Sequence, residues 1–283
     1  MREFLRVASG NGRLVGSSVL VVVVLCFALA GPVIAGKDPQ SVVAGPYQPP
    51  SHKAILGTDN FGRDELTLLM YGTRTSLEIG VVAGLIAILA GTIIGTAAGY
   101  FGGVFSELLL GLTNIVLTIP SIMILILLSV ALHTRSTLVM GIIIGVTSWP
   151  WTARAVAAQT TSLRQREHID IARLSGARDG SIIVTDVLPF LLSYVGMAFS
   201  LQLASAILTE AGLSLLGLGP SNTISLGILL QWALLWEAVR QGVWWTFVPP
   251  TILLAAVSFG LLLLNSSLDE IYNPRLRRGK VAA

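Results

Sequence analysis

The sequence is short of charge and nearly without cysteine: Asp, Glu, Lys and Arg make up 12% of its 283 residues, and Cys26 is its single thiol. A soluble globule of this size needs far more polar surface, so a water-soluble domain is excluded. One cysteine can form neither an intrachain disulfide nor a cysteine metal cluster, and inside an apolar run Cys26 reads as a small buried hydrophobe. The three histidines, His52, His133 and His168, are scattered over different loops, so no metal site is expected. No Gly-x-x-x-x-Gly-Lys-Ser/Thr loop occurs, which places any nucleotide chemistry outside the chain. No Ser/His pair or Asp/His cluster lies within the apolar runs, which argues against an intramembrane enzyme. Basic residues give a net charge of +3 and a pI near 9.3. They form no stripe interleaved with aromatics, so nucleic acid is not an expected partner.

What is abundant is apolar: 53% of residues are hydrophobic and the mean hydropathy is +0.79. Six runs, roughly 14–36, 76–100, 105–132, 137–157, 187–217 and 247–268, are each long enough to cross a ~30 Å hydrocarbon core as helices. Alternating barrel strands are not apparent. The expected fold is all-α, a polytopic membrane protein with six transmembrane helices forming one domain over 1–283. The first run also looks like a cleavable leader ending Ala28-Leu29-Ala30-Gly31, but its continuation through Val33 and Ile34 favours a retained span.

Placing residues 1–13 in the cytoplasm puts twelve of eighteen basic residues inside: Arg2, Arg6, Arg13, five arginines from Arg154 to Arg178, and Arg275, Arg277, Arg278 and Lys280 in the tail 269–283. This asymmetry follows the positive-inside rule and makes both termini cytoplasmic. Residues 37–75 are then outside, with a proline-rich first half and a second half punctuated by Gly57 and Gly62. Asp64 to Tyr71 suits a short helix on the bilayer surface, as does Ile224 to Gln241. Gly80, Gly84, Gly91, Gly95 and Gly99 recur at intervals of four or seven, a small-residue stripe suited to close helix contact. Ala98 to Gly103 reads as a short inner loop.

Between the fourth and fifth runs lies a polar island, 159–186, with four arginines and four acids. Leu163, Ile169, Ala172 and Leu174 alternate with charges as in an amphipathic helix that Gly176 can end. A second helix begins near Ile182, with Pro189 at the membrane entry. Balanced charge favours a shaped protein partner over lipid headgroups.

At these residues the chain resembles a binding-protein-dependent ABC importer permease of the dipeptide/oligopeptide/nickel group, most closely its C-type subunit. Asp170-Ile171-Ala172 occupies the position of the family's Glu-Ala-Ala, Gly176-Ala177 follows in register, and Leu188-Pro189 falls at the expected distance. Ile171 replaces a small residue, and Phe190 stands where Asn often follows the proline. Leu56 to Asp64, Gly99 to Gly103, Trp149-Pro150 with Ala153-Arg154, Ser162-Leu163-Arg164 with Arg166-Glu167, Glu210 to Gly219 and Asn273 to Arg277 are similar in order, although Asn265-Ser266 stand where Gly-Asp is common.

The resemblance implies a type I ABC importer permease fold, with 159–186 as a cytoplasmic coupling helix seated in an ATPase through Arg166, Glu167, Asp170, Ala172, Gly176, Ala177, Leu188 and Pro189. It implies a homologous B-type permease subunit, two ABC ATPase subunits that bind ATP and Mg, an extracytoplasmic substrate-binding protein, and a prokaryotic cytoplasmic membrane. The expected cargo is a di- or oligopeptide; a nickel chelate or glutathione is the alternative within this architecture. An ion-gradient transporter is the rival outside it, requiring inward-facing ionisable groups or broken helices near mid-membrane.

Four further sites carry paired readings. Glu210, an acid late in the fifth run, is a pathway or gate candidate against a capping or pairing role. Asp59, Arg63 and Asp64 could dock the binding protein or order the outer loop. Arg154 snorkels to headgroups or contacts the island. The six tryptophans form an aromatic belt, with ligand stacking as the lesser alternative.

Overall fold

The computed structural model describes residues 12–31, 38–132 and 135–272, with side chains through 269. The described part is helical: α1 Gly12–Ala30, α2 Glu65–Phe101, α3 Gly103–Thr118, α4 Ser121–Ala131, α5 Thr137–Arg164, α6 Glu167–Leu174, α7 Asp179–Ile182, a π turn Ile183–Val187, α8 Leu188–Leu215, α9 Leu226–Leu235, a 3-10 turn Trp244–Thr246, and α10 Val248–Tyr272. Only two isolated β-bridges, Val42 to Arg63 and Thr58 to Asp64, occur among the described residues.

By length and composition four stretches can cross a membrane: Gly12–Ala30, Glu65–Phe101, Asp179–Leu215 and Trp244–Asp269. The bent pair α3–α4 makes a fifth. Helix α5, with 28 residues, is long enough but is not among the helices apolar enough, because its Trp149-Pro150-Trp151-Thr152 centre and Arg154 dilute its hydropathy. The run at 105–132 is not one straight helix. Ile119 is extended at φ −85° and ψ 124°, and the two halves diverge by 78°. Pro120 disfavours helical geometry at Ile119 and carries no N–H for the ladder.

Helix α2 is the central element. Its expected surface helix at Asp64 to Tyr71 is instead its first two turns: the helix runs on through Gly72, where a Cβ would lie 3.2 Å from the Ser225 carbonyl carbon. Asp64 Oδ2 caps it, accepting from Thr67 N at 3.1 Å and Thr67 Oγ1 at 2.5 Å. Gly102, at φ +69°, ends it. The glycine stripe is shared between two neighbours. A Cβ on Gly91, Gly95 or Gly99 would lie 2.5 Å from Thr152 Cβ, 2.4 Å from the Ala153 carbonyl oxygen and 2.5 Å from the Ala157 carbonyl oxygen, all on α5. Gly80 and Gly84 meet Ile207 and Phe199 on α8. Helix α5 reciprocates: Cβ atoms on Gly141 and Gly145 would lie 2.8 Å from Val82 Cβ and 2.7 Å from Ile86 Cβ.

These pairings fix directions. Along α2, positions 82, 86, 91, 95 and 99 meet rising positions of α5, so the two helices run parallel. Positions 80 and 84 meet falling positions of α8, which is therefore antiparallel. Parallel α2 and α5 require the α3–α4 pair to bring the chain back along the bundle, bent as it is.

Helix α9, expected on a bilayer surface, packs one face against the first turns of α2 and the last turns of α8, where Leu226, Leu229 and Ala233 are buried. Helix α1 leaves much of its surface outside the protein core. Cys26 is exposed there rather than buried, because Val24 and Ala28 face inward and residue 26 lies on the other side of the helix.

Candidate functional site

At one end of the bundle the loop 38–64 folds on itself. Asp59 Oδ1 accepts from Phe61 N and Arg63 N, while Arg63 Nε donates to Asp59 Oδ2 at 2.7 Å. The Arg63 guanidinium lies 4.7 Å from the Phe61 ring centroid and 4.4 Å from that of Trp232, on α9. Gly62, at φ +79°, sits where a Cβ would be 2.1 Å from the Ala44 carbonyl oxygen. Tyr47 donates to the Trp236 carbonyl at 3.0 Å. Burial, then the nearby carboxyl groups of Asp59 and Glu65, push its hydroxyl above the ordinary value and keep it a donor. Asp59 and Arg63 are thus paired within the loop, while Asp64 caps α2.

Beneath this loop, Glu210 is fully buried and joins three helices. Its Oε1 accepts from Ser214 Oγ and Ser225 Oγ, both at 2.6 Å, and its Oε2 accepts from Ser76 Oγ at 3.1 Å. Ser76 Oγ also accepts from Leu226 N, and Ser225 Oγ caps α9 at Ile228 N. The carboxyl group ties α2, α8 and α9 together at a point where backbones nearly touch: a Cβ on Gly227 would be 2.6 Å from Ala211 Cα. Glu210→Leu would strand three buried hydroxyls, each worth about 1–3 kcal/mol when unsatisfied. A fall in melting temperature of the purified assembly is expected for Glu210→Leu, with Glu210→Gln close to wild type in both stability and uptake. Loss of uptake in a stable Glu210→Gln protein would restore the gate role.

At the opposite end stands the polar island. Its first residues, through Arg164, continue α5 instead of opening a separate helix, because no breaker interrupts 157–164. After a turn at Gln165, α6 buries Ile169 into a cluster with Tyr100 of α2, Val156 and Leu163 of α5, and Val187 and Leu191 beyond the island. Gly176 N donates to Arg173 O at 3.0 Å and Ala177 N to Ala172 O at 3.1 Å. These are the two bonds of a Schellman C-cap, with Gly176 at φ +81° in the left-handed position. The spacing of Ala172, Gly176 and Ala177 is therefore the spacing of a helix stop.

The exposed face of α6 carries Glu167, Asp170, Ile171 and Leu174, one helical stripe. Leu174 is 89% exposed and Ile171 63%. Leu174, grouped with the apolar positions Ile169 and Ala172 in the sequence, faces outward because five residues of helix carry it away from the side on which Ile169 anchors the helix. Arg173 spans Asp170, at 3.6 Å, and the Tyr100 ring, at 5.3 Å. Tyr100 donates to Asp179 Oδ1 at 2.8 Å. Arg166 lies over Phe190 at 5.8 Å, and His168 packs on the same ring. Tyr100 and Phe190 are links that the island's own sequence does not reveal. Leu188 is half-buried and Pro189 exposed. Pro189 makes no break: the π turn before it absorbs the missing donor, with Leu188 N bonded to Ile183 O. Arg154 is exposed on α5.

Among the described residues no group of three or more His, Cys, Asp or Glu could hold a metal; His133 lies outside them. The α3–α4 break supplies one feature that an ion-gradient carrier would need, but no ionisable side chain lines the cavity beside it.

Membrane-length helices and a bent pass define a multi-pass helical membrane protein. Residues 87–278 match the family described as binding-protein-dependent transport system inner membrane component. A putative peptide transport system permease protein of Brucella suis is 34% identical over 266 residues, covering 93% of this chain and 88% of the relative. The oligopeptide transport system permease protein OppC of Escherichia coli is 36% identical, over 76% of this chain and 72% of its own length. The MetNI methionine ABC transporter in an inward-facing conformation is similar in fold, with a TM-score of 0.55 at 19% identity, covering 71% of this chain and 96% of the matched chain. The chain belongs to the binding-protein-dependent transport system inner membrane component family.

Proposed function

We propose that the chain is the C-type transmembrane subunit of an ATP-driven importer of di- and oligopeptides, forming half of a translocation pathway with a homologous B-type subunit. The observation that carries this reading is the 34% identity, over 93% of the chain, to a relative named as a peptide transport permease. Import of a nickel chelate or glutathione by the same architecture is the alternative. No covalent chemistry is assigned to the chain itself; ATP and Mg belong to two partner ATPases, and an extracytoplasmic binding protein delivers the cargo.

Six passes place both termini in the cytoplasm of a prokaryotic cell. Parallel α2 and α5, antiparallel α8 and the returning α3–α4 pair support this count, as does the basic excess at the island end. Residues 1–283 then form one domain, with 37–75 outside and 159–186 and 269–283 inside. Helix α6 is the coupling helix. ATPase closure pushes its Glu167, Asp170, Ile171 and Leu174 face, and the shared cluster around Ile169 passes the motion to α2, α5 and α8.

Affinity purification of the tagged chain tests the assembly. Two ATPase copies and a second permease are expected to co-purify, and the reconstituted complex with its binding protein should accumulate tri-alanine only with ATP. Recovery of an active carrier lacking any ATPase would sink the reading.

A further inference from the structure

Resting on the peptide-importer reading, we propose that a cavity of about 390 Å³ between the α3–α4 break, α5 and α8 is the part of the route that binds peptide N–H groups through an uncharged wall of hydrogen-bond acceptors. Thr147, Ser148, Pro150, Gln202 and Ser205 line it. Residues 147–150 and 202–205 fall near the middle of two 28-residue helices, so the cavity lies at mid-depth.

Hydrogen bonds already made within the protein decide the chemistry of the wall. Gln202 Nε2 spends its donors on Thr152 Oγ1 at 2.8 Å and the Ser148 carbonyl at 3.2 Å, which leaves Oε1 as the unpartnered end of the amide. Thr147 Oγ1 donates to the Ile143 and Ile144 carbonyls, and Ser148 Oγ donates to Ile144 O at 2.7 Å. With their protons turned into the helix, both hydroxyls offer lone pairs. Pro150, which also lines the cavity, has no N–H and so adds no donor to this wall. Such a wall complements donors: backbone amides and the amino terminus of a peptide.

Two observations argue that the cavity meets water and not lipid. The non-helical backbone at Ile119-Pro120, an exposed segment at its edge, is tolerated at membrane depth only against protein or a water-filled space. A second cavity, about 340 Å³ between α1 and α2, is walled by Leu25, Ala28, Leu29, Leu77, Val81 and Val82 with the Arg74–Glu78 ion pair beside them, a mainly aliphatic surface suited to acyl chains. Trp151 belongs to the polar cavity too; at mid-helix it does not fit an interfacial belt.

The test uses the complete transporter with its binding protein in proteoliposomes. Thr147 bonds only its own helix, so charged replacements strand no partner. Thr147→Asp should raise, and Thr147→Lys lower, the ratio of tri-lysine to tri-glutamate uptake, with about a tenfold difference between them, the equivalent of one modest charge interaction. Gln202→Leu should lower tri-alanine uptake at least tenfold. A ratio equal in both Thr147 variants overturns the assignment. A readout that needs no substrate separates its failure from that of the peptide reading: Ser205→Cys in a Cys26→Ser chain should react with a membrane-impermeant methanethiosulfonate. If Ser205→Cys stays unreactive while wild type imports tri-alanine, the cavity is not the route and peptide import stands. If it reacts while wild type imports no peptide, the aqueous acceptor wall stands and the cargo is another donor-rich solute.

Discussion

Leu174→Asp is expected to reduce ATP-driven tri-alanine uptake by the assembled transporter at least tenfold while leaving the permease folded. At 89% exposure the side chain supports nothing within its own chain, so its replacement acts on whatever covers it. An apolar anchor buried at the centre of an interface contributes roughly 2 kcal/mol or more, about thirtyfold in affinity. Glu167, Asp170 and Ile171 share its stripe. Asp170→Arg should reproduce the loss with a salt-sensitive component, because it reverses an exposed charge. The measurement is recovery of the ATPase subunits with the tagged chain at low and high salt, alongside uptake. Undiminished uptake and ATPase recovery for Leu174→Asp would remove α6 as the coupling helix. Gly176 lies at φ +81°, so Gly176→Val acts differently: it strains the cap itself by about 1–2 kcal/mol and misplaces the whole stripe.

The second large effect lies in the helix bundle. Gly95→Leu should prevent accumulation of the folded protein, since even its Cβ would stand 2.4 Å from the Ala153 carbonyl oxygen and 2.8 Å from Val156 Cβ. A flexible side chain could move aside, but a backbone carbonyl moves only with its helix. Separating α2 from α5 would also loosen Gly91, Gly99, Gly141 and Gly145, which share the contact. Destabilisation of about 4 kcal/mol or more is expected, enough to exceed the margin of an ordinary domain's stability when combined with lost assembly. Gly111→Leu is the control: no atom lies within 4 Å of a Cβ there, so yield and melting temperature should stay near wild type. Equal yields for the two variants would show that the α2–α5 contact is looser than described.

How much of this was readable beforehand depended on the range of the interaction. The helix start at Asp64 and the stop at Gly176 were legible because a cap involves residues within about five positions, whereas the inner loop expected over 98–103 shrinks to its glycines because Ala98 to Phe101 continue α2. The run 105–132 was expected as one span but breaks at Pro120, whereas Pro150 leaves α5 unbroken; only packing distinguishes the two, since Pro150 is buried against neighbours and the 119–120 break is exposed. Residues 64–71 open α2 instead of forming a separate helix, and residues 226–235 pack on two helices, for a related reason. Short amphipathic segments look alike whether they meet headgroups or other helices, and here α2 and α8 supply the apolar partner.

The sequence by itself determined that the chain is helical and made for a bilayer, where its polar island falls, and where its helices cap, because hydropathy and capping are local properties of consecutive residues. Tertiary structure alone decided that Glu210 meets Ser76 across 134 positions, that one glycine stripe serves two neighbours, and that Leu174 faces outward while Ile169 anchors. These outcomes depend on which helix faces come together, a choice made by close packing over the whole bundle rather than by any single segment.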